Sequence, residues 1–291
     1  MKNILVFLFC ISALNAFSQE AETHNYYWNN TENYEAIISA TNCYVRESPS
    51  IEAVLLDSLQ VGKQVTVIKS TEGNLKIKGI NVSWVEIEYK NKLGTLAKGF
   101  LWKGFLGLGF TKKGNYTFLT GIDKIETKKE KDHDPVYFSI AVKILDTNNI
   151  ILDQKIIQKD ITESNYFDGK AIGDLGLKNL QDIYRISFNG EACGIPSLFY
   201  YFGWDSKKLL LLPEKYNVGD AAAFYHSENF IFPKEKGGKP DMIIKQTEEA
   251  ENIDEKESFY NLIEYNEIYK WDGEKATFLK KSKIKKYKKK I

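Results

Sequence analysis

Apolar residues in this chain recur mostly at every second position, in short runs broken by Gly, Asn, Ser, Asp or Pro. Between residues 40 and 108, the runs at 42–46, 64–70, 83–89 and 93–101 fit strands. Val65 and Val67, then Val85, Ile87 and Tyr89, alternate with polar neighbours, as strands with one buried face do. Gly62-Lys63 and Lys90-Asn91-Lys92 fall at the turns between them. Closely spaced short strands of this kind predict a small barrel.

A second β-rich domain is expected over residues 110–279, entered through the glycine-rich stretch 104–109. Residues 136–145 and 150–157 alternate well, and Asp146-Thr147-Asn148-Asn149 between them has the residue types that a hairpin turn favours. Further strands are expected at 183–188, 198–204, 208–212, 230–232, 241–245 and 267–271. The charged stretch 247–257 reads as a solvated connection, helical at most in part. Residues 19–39, with Tyr26, Tyr27 and Trp28 scattered among polar residues, show no sustained period and read as a linker. Residues 280–291, dominated by lysine, read as a solvated tail. The fold class expected is mainly β, with a small N-terminal barrel followed by a β-rich C-terminal domain.

The N-terminus changes the compartment. Met1-Lys2-Asn3 is followed by an apolar run over residues 4–14, and Ala16-Phe17-Ser18 offers small residues at the two positions a signal peptidase reads. Residues 1–18 are therefore expected to be a cleaved signal peptide, and the product to be exported to the periplasm or beyond. Spanning a bilayer takes about 20 apolar residues, more than this run holds, so no stable membrane insertion is expected. Phe9 precedes Cys10 where a lipoprotein signal needs a small residue, which argues against lipidation. The balance of 40 basic and 39 acidic residues, a formal charge of +1, argues against a dedicated nucleic-acid binder.

The segment Tyr44-Val45-Arg46-Glu47-Ser48-Pro49-Ser50 resembles the opening Asn-Val-Arg-x-x-Pro-Ser motif of the bacterial SH3-like domains found in exported proteins, with Tyr44 in place of Asn. Val54-Leu55, Leu59, Gly62 and the Val65-Thr66-Val67-Ile68 strand follow in that family's order. Trp84-Val85-Glu86-Ile87 resembles its Trp-x-Lys-Val strand, and Gly99-Phe100-Leu101 its Gly-Tyr-Val close. Residues 73–82 are longer than the usual loop, and residues 93–98 are extra. The resemblance implies an SH3-like domain over 40–108 and a binding role, with a peptidoglycan peptide or an envelope protein as partner. Pro49 fixes its own φ and pushes Ser48 toward an extended shape, so residues 46–50 make a structured loop. Arg46 either ties that loop to its own strand or meets a ligand carboxylate. Trp84, Phe100 and Trp102 either fill the barrel or line a groove for an extended peptide. Trp84 is expected in the core. The candidate ligand-binding residues are Arg46, Phe100 and Trp102, with Trp102 as an exposed platform.

With the signal removed, Cys43 and Cys193 are left. They either pair in an oxidising compartment, or Cys43 packs in its strand as a free thiol. His24, His133 and His226 have no metal-ligand spacing to one another or to a cysteine. Cys193, with glycines on both sides, and His226 are the one pair that offers a thiol nucleophile and a base, although a structural role for Cys193 is favoured. No phosphate-cradling Gly loop, Gly-x-Ser-x-Gly elbow or His-Glu-x-x-His is present. No catalytic residue, metal or cofactor is assigned.

Residues 174–183 and 236–243 resemble degenerate Phe-Gly-Gly-Ala-Pro-type repeats of exported β-propeller-like proteins, whose intact loops hold calcium. Gly176, Lys178, Lys236 and Lys239 supply too few oxygens for calcium, so Asp174 and Asp241 are expected to shape turns. The leading expectation is a non-catalytic binding protein. A structural or protective surface protein and a thiol hydrolase are the other readings.

Overall fold

The computed structural model describes residues 22–129, 134–220, 223–254 and 259–290. The expected signal peptide, Cys10 and His133 lie outside these residues. The chain is nearly all β, 62% strand, and no α-helix occurs among the described residues.

The first sheet holds β1 (Tyr34–Ile37), β2 (Asn42–Arg46), β3 (Leu55–Gln60), β4 (Gln64–Ile77), β5 (Ile80–Lys90) and β6 (Leu96–Trp102), in the order β1-β4-β5-β6-β2-β3. It curls into a half-barrel. Val45, Val67, Val85, Ile87 and Leu101 are buried in it, as their period predicts. The expected long loop at 73–82 is instead the outer part of the β4–β5 hairpin. Lys78 (φ 50°) and Gly79 (φ 81°) close it with two consecutive left-handed residues, the geometry of a tight two-residue hairpin turn.

Residues 22–39 are part of the fold and not a linker. Tyr27 and Trp28 are buried, the Trp28 indole N–H donates to the Leu106 carbonyl at 3.0 Å, and the Tyr27 hydroxyl donates to the Ile161 carbonyl at 3.0 Å. β1 pairs with β4. His24 is buried too, and its Nδ1 accepts the Asn81 N–H at 2.9 Å. Burial lowers its pKa, so the imidazole stays a neutral acceptor. The segment has no period because a 3-10 turn at Asn25–Tyr27 presents its aromatics as separate anchors.

The second sheet, in the order β10-β9-β8-β7, holds β7 (Gly109–Lys113), β8 (Tyr116–Thr127), β9 (Val136–Leu145) and β10 (Ile151–Lys159). It is a middle layer. On β8, Phe118 stacks 5.2 Å from Tyr184, and Thr120 donates to the Tyr184 hydroxyl at 3.2 Å. On the opposite face Leu119 packs with Ile37 and Val61, and the paired Lys143 donates to the Ser39 carbonyl at 2.5 Å. Strands buried on both sides carry apolar residues at nearly every position, as β9 does.

The third sheet has ten strands. These are β11 (Tyr166–Ala171), β12 (Asp182–Asn189), β13 (Ser197–Trp204), β14 (Leu209–Leu211), β15 (Lys215–Asp220), β16 (Phe224–Ile231), β17 (Met242–Asp254), β18 (Phe259–Trp271), β19 (Ala276–Lys281) and β20 (Lys285–Lys290). Residues 247–254, expected as a solvated connection, are the outer half of β17. The lysine tail is also strand, since β20 pairs with β18 from Glu264 to Phe259. One hydrophobic cluster reaches from Tyr27 to Leu209 across all three sheets, so the core does not break near residue 109.

Candidate functional site

Arg46 and Phe100 stand directly opposite each other in the β2–β6 pairing, and Trp102 stands opposite Trp84 in β5–β6. Opposed residues share a face, but this face offers no aromatic platform. Trp102 is 3% exposed, against the expectation that it is open to solvent. The β4 arm lies across it, with the Leu75 carbonyl accepting the indole N–H at 2.9 Å, and Phe105 packs edge-on at 5.2 Å. Gly104 permits this packing, because a Cβ there would sit 2.3 Å from the ring. Trp84 is buried as expected. The Arg46 Nη1 donates to the Ala53 carbonyl at 2.7 Å, tying the 47–54 loop to its strand, while Phe100 is half-buried.

The open ground lies at the other end of the β5–β6 pair, where Lys90 faces Leu96. Two clefts of about 550 and 410 Å³ meet there and share Lys63, Lys90 and Asn149. Together they carry four lysines, at 63, 90, 92 and 112, against the carboxylates of Glu35, Asp57 and Glu88. Amide side chains from Gln60, Gln64, Asn91, Asn148 and Asn149 fill the spaces between the charges. Such a groove can hydrogen-bond an extended polar chain along its length and meet carboxylates at several points.

Three turns build this groove. The Asp146 carboxylate accepts the Asn148 and Ile150 N–H groups at 2.8 Å each, fixing the β9–β10 turn, and Asn149 is left-handed at φ 63°. Gly62 (φ 82°) lets the β3–β4 turn approach it, for a Cβ on Gly62 would lie 2.6 Å from the Asn149 side chain. Ile37, Val61, Leu119 and Leu145 pack together and lock the first and second sheets to each other. Lys112 Nζ donates to Gln64 Oε1 at 3.0 Å. Tyr89 lies in one cleft and Asp57 in the other; burial first, then the Asp57 charge and hydrogen bond, raise the Tyr89 phenol pKa. In the sequence Lys63, Lys90 and Asn149 look like ordinary turn residues. Only the meeting of the three turns turns them into a site.

Cys43 and Cys193 are both free, so the candidate disulfide is not formed. Cys43 is buried, which pushes its thiol pKa well up, and Cys193 is exposed. His226 stacks on Tyr216 at 4.3 Å, with Nδ1 3.3 Å from Glu249 and Nε2 3.4 Å from Glu228. The ring lies between two carboxylates, with the buried Nε2 making no hydrogen bond, and among the described residues no hydrogen bond joins it to Cys193. At the repeat-like loops, Asp174 receives the Gly176 N–H at 2.5 Å and the Lys234 ammonium at 2.7 Å, while Lys178 lies 3.4 Å from Asp241. Each loop is closed by a lysine from the other neighbourhood. No group of three potential metal ligands occurs among the described residues.

Comparison with protein families, with curated proteins and with solved structures gave no match. Among the described residues no helix is long and apolar enough to cross a membrane.

Proposed function

We propose that this is a non-catalytic, exported envelope protein whose half-barrel, read as SH3-like, binds a cell-wall peptide. The observation that carries the reading is the pair of clefts sharing Lys63, Lys90 and Asn149. A peptide cross-linked to or cut from a wall polymer is extended, rich in amides and studded with carboxylates. The groove matches each of these, with amides to bond its backbone and lysines to meet its acids. Exposed charge pairs contribute about 0–1 kcal/mol each, so affinity comes from several weak contacts along the groove and falls with salt without vanishing. The signal-like N-terminus supports action outside the cytoplasm.

The test is co-sedimentation with purified peptidoglycan at low and high salt, for the wild type and a Lys63→Gln/Lys90→Gln variant. Retention of the wild type at high salt, with loss in the variant, supports the reading. Equal retention of both forms, or none of either, rejects the groove as a wall-binding site.

A further inference from the structure

The outer half of the third sheet has a second recess, of about 570 Å³, lined from β16, β17 and β18. Cross-strand register places six of its residues in two rows on one face, and both rows continue past the recess onto β20. One row runs from Phe224 through Glu251 and Asn261 to Lys288, and the next from His226 through Glu249 and Ile263 to Lys286. Two carboxylates therefore lie on β17 and two ammonium groups on β20, separated by the neutral Asn261 and Ile263 of β18. Two strand spacings put these charged ladders about 10 Å apart. Phe224, 40% exposed, and Ile263 supply apolar surface beside them. Among the described residues no ion pair engages Glu251, Lys286 or Lys288, while Glu249 lies 3.3 Å from His226 Nδ1. Asp220, opposite Phe224, extends the acidic side.

Lysines on an edge strand deter pairing with other chains, which accounts for β20 alone. It does not account for a parallel ladder of acids at fixed distance on the same face, beside the recess. A ligand of one charge would leave one ladder unmatched. An extended chain of three residues spans about 10 Å from end to end, so a free ammonium and a free carboxylate at its termini reach both ladders at once.

We propose that this face binds short zwitterionic peptides, with the terminal ammonium on Glu249 and Glu251 and the terminal carboxylate on Lys286 and Lys288. The site is separate from the half-barrel groove and does not rest on the reading given for it.

The probe is triglycine, titrated into the full chain by calorimetry and by NMR, beside its N-acetyl and C-amide forms. Saturable binding by triglycine is expected, weakened about tenfold by blocking either end, the equivalent of about 1.4 kcal/mol. In a Glu249→Gln/Glu251→Gln variant acetylation should make no further difference, and in Lys286→Gln/Lys288→Gln amidation should make none. Glu251, Lys286 and Lys288 are exposed and Glu249 is half-buried beside His226, and the ligand series on the wild type stands even if a variant folds poorly. The proposal is overturned if triglycine gives no saturable response, if the blocked forms bind equally well, or if the perturbed residues lie around Lys63 and Lys90.

Discussion

Lys103 gives a quantitative test of the packing. It follows β6 in a 3-10 turn, is fully buried, and its ammonium donates to Asn30 Oδ1 at 2.6 Å. Among the described residues it has no ion pair, and burial lowers its pKa from 10.5 to about 8. The folded-state value lies below the unfolded one, so the buried charge destabilises the fold throughout the range below pH 8. That penalty fades as the pH rises toward 10.5. A drop of this size corresponds to about 3 kcal/mol at neutral pH. Replacing Lys103 by Met keeps the aliphatic stem and removes the charge. After allowing about 1 kcal/mol for the lost hydrogen bond to Asn30, the variant should be about 2 kcal/mol more stable at pH 7. Between pH 7 and 9.5 this advantage should shrink by about 2 kcal/mol. Urea unfolding of both proteins at the two pH values measures it, and other titrating groups cancel in the difference. An advantage that does not change with pH would refute the reasoning, because it would mean that the ammonium is hydrated in the folded protein.

Other consequences follow from the same packing. Trp102→Ala should cost about 3–5 kcal/mol, seen as a lower unfolding midpoint, whereas an exposed tryptophan would cost far less. Gly62→Ala forces a side chain into a left-handed backbone against Asn149, and should lose about 1–2 kcal/mol in denaturant titration together with peptidoglycan retention. Of the two described cysteines, a thiol reagent on the native protein should label Cys193 alone, with Cys43 reacting only after unfolding; peptide mass spectrometry reads the sites.

Within the half-barrel, β4 and the C-terminal part of β5 are legible because one face is wetter than the other, so Val65, Val67, Ile87 and Tyr89 alternate with less buried neighbours, whereas residues 80–85 are buried on both faces. The 136–145 strand was legible for a different reason, its near-continuous apolar run. The outer half of β17 and the strand β20 were not legible. They lie on either side of β18 and are made mostly of polar residues, so no period of two marks them. Tyr26, Tyr27 and Trp28 leave no periodic signal in the sequence, because anchors in a single turn have no period at all. Trp102 alternated as expected, but its exposure depended on the β4 arm folding over it, a contact with Leu75 that is distant in sequence. The groove has no local signature, because Lys63, Lys90 and Asn149 belong to three separate turns whose meeting depends on the docking of two sheets.

The most direct test of the groove is NMR mapping of the full chain with a soluble cell-wall stem peptide. The account predicts saturable shifts centred on Gly62, Lys63, Lys90 and Asn149, with Arg46 and Trp102 little affected. Shifts centred on Arg46 and Phe100 instead, or none at saturating peptide, would contradict it.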